Sequence, residues 1–325
     1  MLPNWFSRYS PFAAVSSDNP LFRVESRQVK RGTTVALWHS SIKVAAITLL
    51  LMLGLWAWSL LSIYSSTSGL LNAPYGSAYD DSDLLTLVAW LAGLGFCDKL
   101  ILDFFGMWVG LHSFNADVTS KRWDVLRLTP IKAETIIDSR IALAQIQAWR
   151  PFVFVVAFRF GVLLLGIVTL LVPPLLFPQW RGSMQDVRDQ LLRDPVTIIG
   201  PLFIAFTFSA FYLIEPYWRM RMVTASSVAV AAKMRSLPMS VLYGLWHIVI
   251  VWFFQIIIAV ASLILMNILF NRTSSSPLLD YILVVVWVGA VTVITYFIYR
   301  SRARVWHAQA RQAIAAELIN LPEFR

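Results

Sequence analysis

The chain contains a single cysteine, Cys97, so no disulfide can form within it. Charged residues make up 14% of its 325 positions, against about 25% in a soluble domain. No G-x-x-x-x-G-K-[ST] stretch occurs anywhere, so no loop of this chain is expected to cradle nucleotide phosphates. His39, His112, His247 and His307 never fall three or four apart. That spacing argues against paired imidazole ligands for a metal or haem, and hence against a redox or quinone-binding subunit. No Ser/His/Asp grouping is recognisable either, so no catalytic residue, bound cofactor or metal is expected. The first twenty residues hold no continuous apolar core, and no cleavable leader is expected. The apolar runs also lack the two-residue alternation of barrel strands.

Hydrophobic residues, in contrast, make up 58% of the chain, the mean hydropathy is +0.66, and the apolar residues come in blocks. A helix crosses the hydrocarbon with about 20 mostly apolar residues. Six segments meet that test: Val44–Tyr64, Leu84–Gly110, Pro151–Phe177 (cut short by Pro173-Pro174), Val196–Ile214, Val241–Phe270 and Leu278–Tyr299. The expected fold class is an all-α integral membrane protein with six transmembrane helices, one membrane domain spanning residues 1–325.

The net charge of +9 would suggest nucleic acid as a partner in a soluble protein; here its distribution indicates topology instead, and no nucleic-acid partner is expected. Twenty-one of the 27 Lys and Arg residues fall before the first span, between spans two and three, between four and five, or in the tail. The opposite loops hold only Arg181, Arg188, Arg193 and Arg272. Basic residues concentrate in cytoplasmic loops, so both termini are expected in the cytoplasm, with the chain multi-pass in the cell (inner or plasma) membrane. Residues 178–195 carry Met184, Val187 and Leu191 at helical spacing and suggest a short external surface helix. Asn271-Arg272-Thr273 matches a glycosylation sequon, a pattern common by chance.

Three further segments read as interfacial amphipathic helices. Residues 18–32, DNPLFRVESRQVKRG, place Asn19 at an N-cap and Pro20 at the first helical position. Phe22 and Val29 share a face there, with Arg23, Glu25, Arg27 and Lys30 beside them, a headgroup anchor in character. Residues 120–146 place Trp123, Leu126 and Arg127 on one short helix. Thr129 then caps a second, with Pro130 first and Ala133, Ile136, Ile137, Ile141 and Ala144 at i, i+3, i+4 spacing. This predicts an elbow of two short helices able to lie on the membrane or meet a soluble partner. Residues 301–320 extend the last span as a basic cytoplasmic helix.

On these residues the chain resembles the type-2 ATP-binding-cassette exporter permeases. WDVLRLTPIKAETI is similar to that family's cytoplasmic signature, and NPLFRVESRQVKRG to its amphipathic entry helix. The family's Leu-Ser after Thr-Pro is replaced here by Ile131 and Lys132. The resemblance implies a coupling segment formed by Trp123, Asp124, Val125, Leu126, Arg127, Thr129 and Pro130, docked on a separate nucleotide-binding ATPase subunit that holds ATP and Mg²⁺. It also implies a second permease copy or a paired permease. A different expectation stands beside it: a non-transporting scaffold or accessory subunit of a larger membrane complex on the same fold.

Charges inside the apolar runs complete the picture. Asp98, Lys99 and Asp103 lie in span two and Arg159 in span three. A charge near the bilayer centre costs about 2.5–3.5 kcal/mol, so each needs a partner or water. Lys99 and Asp103, four apart, can pair on one face, and Asp98 can meet Arg159. Such a group serves either a substrate path or subunit interface, or an internal clamp. Gly106 and Gly110 follow as a small-xxx-small pair that permits close helix approach.

Overall fold

A computed structural model describes residue 21 and residues 34–68, 98–112, 131–176, 196–234, 237–272 and 277–319. These residues are overwhelmingly helical. Helix α1 is Thr34–Ser68; α2 covers 98–112; α3 is Ala133–Leu176; α4 is Val196–Lys233; α5 is Leu237–Arg272; α6 is Pro277–Ile319. Five of them, α1 and α3 to α6, are long and apolar enough to cross a membrane. The second expected span, Leu84–Gly110, lies within the described residues only from residue 98 onward, and that part is helical.

Length decides where the membrane ends. At 1.5 Å per residue, the 44 residues of α3 and the 43 of α6 each extend about 65 Å, twice the hydrocarbon thickness of about 30 Å. Each therefore has one half suited to lipid and one half beyond it. The lipid-suited halves expose large apolar side chains, including Leu202 and Phe206 on α4, Trp246 and Phe253 on α5, and Val286 and Phe297 on α6. Such a continuous apolar surface is unsustainable in water and ordinary in a bilayer. Some polar side chains there turn back on their own helix: Thr48, Thr207 and Thr292 each donate to the carbonyl four residues earlier at 2.7–2.8 Å, which satisfies these hydroxyls without water.

The core sits at the basic end. There Ile136, Ile137, Ile141 and Ala144 of α3 meet Met222–Ala232 of α4, Met107 and Leu111 of α2, and Tyr299, Ala310 and Ile314 of α6. The α4 segment reads MVTASSVAVAA and is buried on almost every side. Its small side chains allow neighbours to approach from all directions, which makes α4 the central helix. Leu21, within the expected entry helix, is helical and packs against this cluster; the rest of residues 18–32, including Arg23, Glu25 and Arg27, lies outside the described residues.

The elbow expectation needs correction over its second half. Ala133 begins one continuous helix that runs through Pro151 to Leu176, so residues 133–146 are the buried first part of the same helix that spans, and not a separate surface helix. Residues 139–146 are buried on all sides, Ser139, Arg140 and Gln145 included. An amphipathic period fits one buried face; here α4 and α6 also cover the polar face beyond Glu134, while Lys132 and Glu134 stay exposed. The helix also starts later than Thr129-Pro130 implies. The Lys132 carbonyl accepts from Ile136 N–H at 3.3 Å and from Thr135 N–H at 2.9 Å, which puts Lys132 in the N-cap position. Pro173-Pro174 likewise fails to end α3 early. The last expected extension is continuous, since α6 runs unbroken through Ile319.

Candidate functional site, a buried charge network

Span four was expected to end at Ile214, with Arg219 beyond it in a basic loop. Instead α4 continues, and Glu215 and Arg219 lie four apart on one inward face. Arg219 is 0% exposed and Arg159 1%. Fully buried guanidinium groups must have partners, and these have many.

Arg159, on α3, reaches across to both α2 and α4. Its Nε donates to Asp98 Oδ2 at 2.5 Å and its Nη2 to Asp98 Oδ1 at 3.3 Å, a two-pronged grip on one carboxylate. Its Nη1 donates to Glu215 Oε2 at 2.9 Å. The same nitrogen donates to the Tyr212 carbonyl at 2.6 Å, and that bond has a specific cause. Pro216 has no N–H, so the carbonyl four residues earlier, Tyr212, loses its helical donor. Arg159 supplies it. The Tyr212 ring also lies under the guanidinium, 4.6 Å from its centre, a cation–π contact that strengthens when desolvated.

Arg219 repeats the pattern one turn further. It grips Asp103 with Nε, at 2.6 Å to Oδ1, and with Nη2 to Oδ2. Its Nη1 reaches Glu215 Oε1 at 3.3 Å, Gln255 Oε1 at 3.1 Å and the Tyr299 hydroxyl at 3.3 Å. The Tyr299 hydroxyl donates to Glu215 Oε1 at 2.8 Å and accepts from Gln255. The Trp252 indole donates to Asp103 Oδ2 at 2.8 Å, and its ring stands 5.5 Å from the Arg219 guanidinium. Glu215 is the bridge between the two arginines. Helices α2 to α6 all contribute.

The sequence-identified charges thus divide. Asp98 and Arg159 meet. Asp103 does not pair with Lys99: its carboxylate faces α4 and is taken by Arg219 and Trp252. Lys99 stays half-buried and within electrostatic range of Glu215. Three carboxylates and two guanidiniums leave a formal −1, which Lys99 balances. Glu215, Arg219, Trp252, Gln255 and Tyr299 were not singled out in the sequence. The signal for the first two was present: a Glu and an Arg at i, i+4 at the end of an apolar run.

Gly106 and Gly110 fix the register of this network. A Cβ on Gly110 would lie 2.7 Å from Ser227 Cβ and closer still to its Oγ, and one on Gly106 3.1 Å from Val223 Cγ1. The pairs Asp103–Arg219, Gly106–Val223 and Gly110–Ser227 keep a nearly constant offset along both helices, so α2 and α4 run parallel in close contact. The small-xxx-small pair therefore serves packing within the chain. Of the expected coupling positions, Trp123, Asp124, Val125, Leu126, Arg127, Thr129 and Pro130 lie outside the described residues. No protein-family model, curated protein or solved structure matches the chain.

What the arrangement can do is mechanical. Every carboxylate is held by a guanidinium, and among the described residues no cluster of three His, Cys, Asp or Glu side chains could hold a metal. Such a network ties five helices at one depth and resists any motion that parts a single charge from its partners.

Proposed function

We propose that this chain is the membrane-spanning permease subunit of an ATP-driven exporter, energised by a separate nucleotide-binding subunit, with six spans and cytoplasmic termini. The observation that supports this reading most is the continuity of α3. Residues 120–130, which carry the resemblance to a coupling segment, lead directly into a helix buried in the basic-end core that carries Arg159 to the network. A push on residues 120–130 would travel about 40 Å along one helix, from Ala133 to Arg159, to the point where five helices are tied. On the charge-bias argument the basic end is cytoplasmic, where an ATPase would stand. A second copy, or a paired permease, would complete the path.

The complete internal pairing of the network favours a second reading, a non-transporting scaffold on the same fold, in which the clamp only fixes helix packing. The two readings differ in one experiment. Trp123→Ala with Leu126→Ala, made in the chain purified with its native partners, is expected to release an ATPase subunit while the chain stays folded. Unchanged partners and unchanged ATP hydrolysis would remove the exporter reading.

A further inference from the structure

Beside the network, on its basic-end side, lies a cavity of about 470 Å³ between α3, α4 and α6. That volume falls within the 300–1,000 Å³ typical of small-molecule sites. Its wall holds Arg221 from α4 and Arg300, Arg304 and Arg311 from α6, against one carboxylate, Asp138 from α3. Asp138 is already engaged: it accepts from His307 at 2.6 Å and faces Arg311 at 3.9 Å, while Arg311 also holds Glu134 at 2.9 Å. The other three arginines are not matched by acid. Arg300 donates to the Tyr296 hydroxyl at 2.7 Å, Arg221 lies over the Tyr217 ring, and among the described residues neither they nor Arg304 enters an ion pair. Arg221, Arg300 and Arg304 are exposed where they line this hollow, so they are open to an incoming anion, and their planar donor forks match phosphate oxygens best.

Depth narrows the source of that anion. The apolar part of α6 ends at Tyr299, and Arg300 to Arg311 occupy the next three turns, about 16 Å along the axis. That is where the headgroup layer begins outside the hydrocarbon core. The wall also includes Tyr299, whose hydroxyl binds Glu215 in the network.

We infer that this cavity is a binding site for a phosphate group at the membrane interface, held by Arg221, Arg300 and Arg304, with an anionic phospholipid headgroup or a free phosphate as its source. The inference does not depend on the transport reading, because a scaffold would retain the site.

The test uses the full chain with its native partners in nanodiscs of phosphatidylcholine alone or with phosphatidylglycerol. Retained lipid is read by native mass spectrometry, and binding of inorganic phosphate or pyrophosphate by the shift in thermal denaturation. Selective retention of phosphatidylglycerol identifies a lipid headgroup; stabilisation by phosphate or pyrophosphate without lipid retention identifies a free anion. Both support the site. Arg300→Gln with Arg304→Gln, at exposed positions outside the network, is expected to weaken the binding about a hundredfold, roughly tenfold per lost charge-assisted contact. Ala303→Phe, which fills the cavity without altering a charge, should do the same. No preference for the anionic lipid together with no phosphate effect would overturn the inference, as would undiminished binding in a folded Ala303→Phe chain.

Discussion

Replacing Arg219 with Met should be among the most damaging single changes in this chain. Arg219 is completely buried and grips both oxygens of Asp103. Without it, Asp103 keeps only the Trp252 indole among the described residues, and Glu215 depends on Arg159 and Tyr299. Breaking a buried pair from one side costs about 3–5 kcal/mol, because a charge is left without compensation. A fold stable by about 5–15 kcal/mol does not absorb that easily. Asp103→Leu strands Arg219 instead, though Glu215 still partly neutralises it. If each single change is costly because it strands the other charge, the double variant Arg219→Met/Asp103→Leu should cost no more than Arg219→Met alone, with a coupling energy of about 2–3 kcal/mol. The assay is reversible unfolding in mixed micelles for the wild type, both singles and the double. Additive costs within about 0.5 kcal/mol would show that the two residues do not act as a pair, and the network account would fail with them.

Further expectations follow from the packing. Gly110→Ala forces a methyl group into Ser227 and should cost about 1–3 kcal/mol, while Gly289→Ala, with open space around it, should cost nothing measurable in the same unfolding assay. Pro216→Ala restores the N–H that the Tyr212 carbonyl lacks, so it should stabilise α4 locally and weaken the hold of Arg159; amide exchange at residue 216 should be slow in the variant. Phe206→Ala, on the lipid-facing side of α4, should change stability by less than about 1 kcal/mol, because lipid replaces the lost contacts; a loss of 3 kcal/mol or more would place it in a protein interface.

How much of this was legible in the sequence depended on whether a residue's neighbours lay along the chain or across it. The spans were legible because lipid demands a continuous apolar run, and Val44–Tyr64 and Leu278–Tyr299 fall inside α1 and α6 as expected. Asp98 and Arg159 were legible as a pair because two charges in hydrocarbon have little choice. Glu215 and Arg219 were not, since they follow the end of the apolar run at Ile214 and fell in the expected basic loop, whereas α4 continues through them and Pro216 frees a carbonyl for Arg159. The start of α3 misled for a related reason. Lys132, Glu134, Asp138 and Ser139 give it a polar face that periodicity assigns to water; Lys132 and Glu134 do face water, whereas α6 meets the rest of that face with His307 on Asp138 and reaches Glu134 with Arg311. Tyr299 and Gln255 carried no local signal at all, because their roles arise only when α5 and α6 meet α4.

The proposed coupling role of residues 120–130 can be read out at a single position. A photo-crosslinking amino acid at Leu126, in the chain expressed in its native membrane, tests it directly. The account predicts capture of one cytoplasmic subunit that is itself labelled by a photoreactive ATP analogue, with capture lost when Trp123 is changed to Ala. Crosslinks to lipid alone, or to a partner that binds no nucleotide, would contradict it.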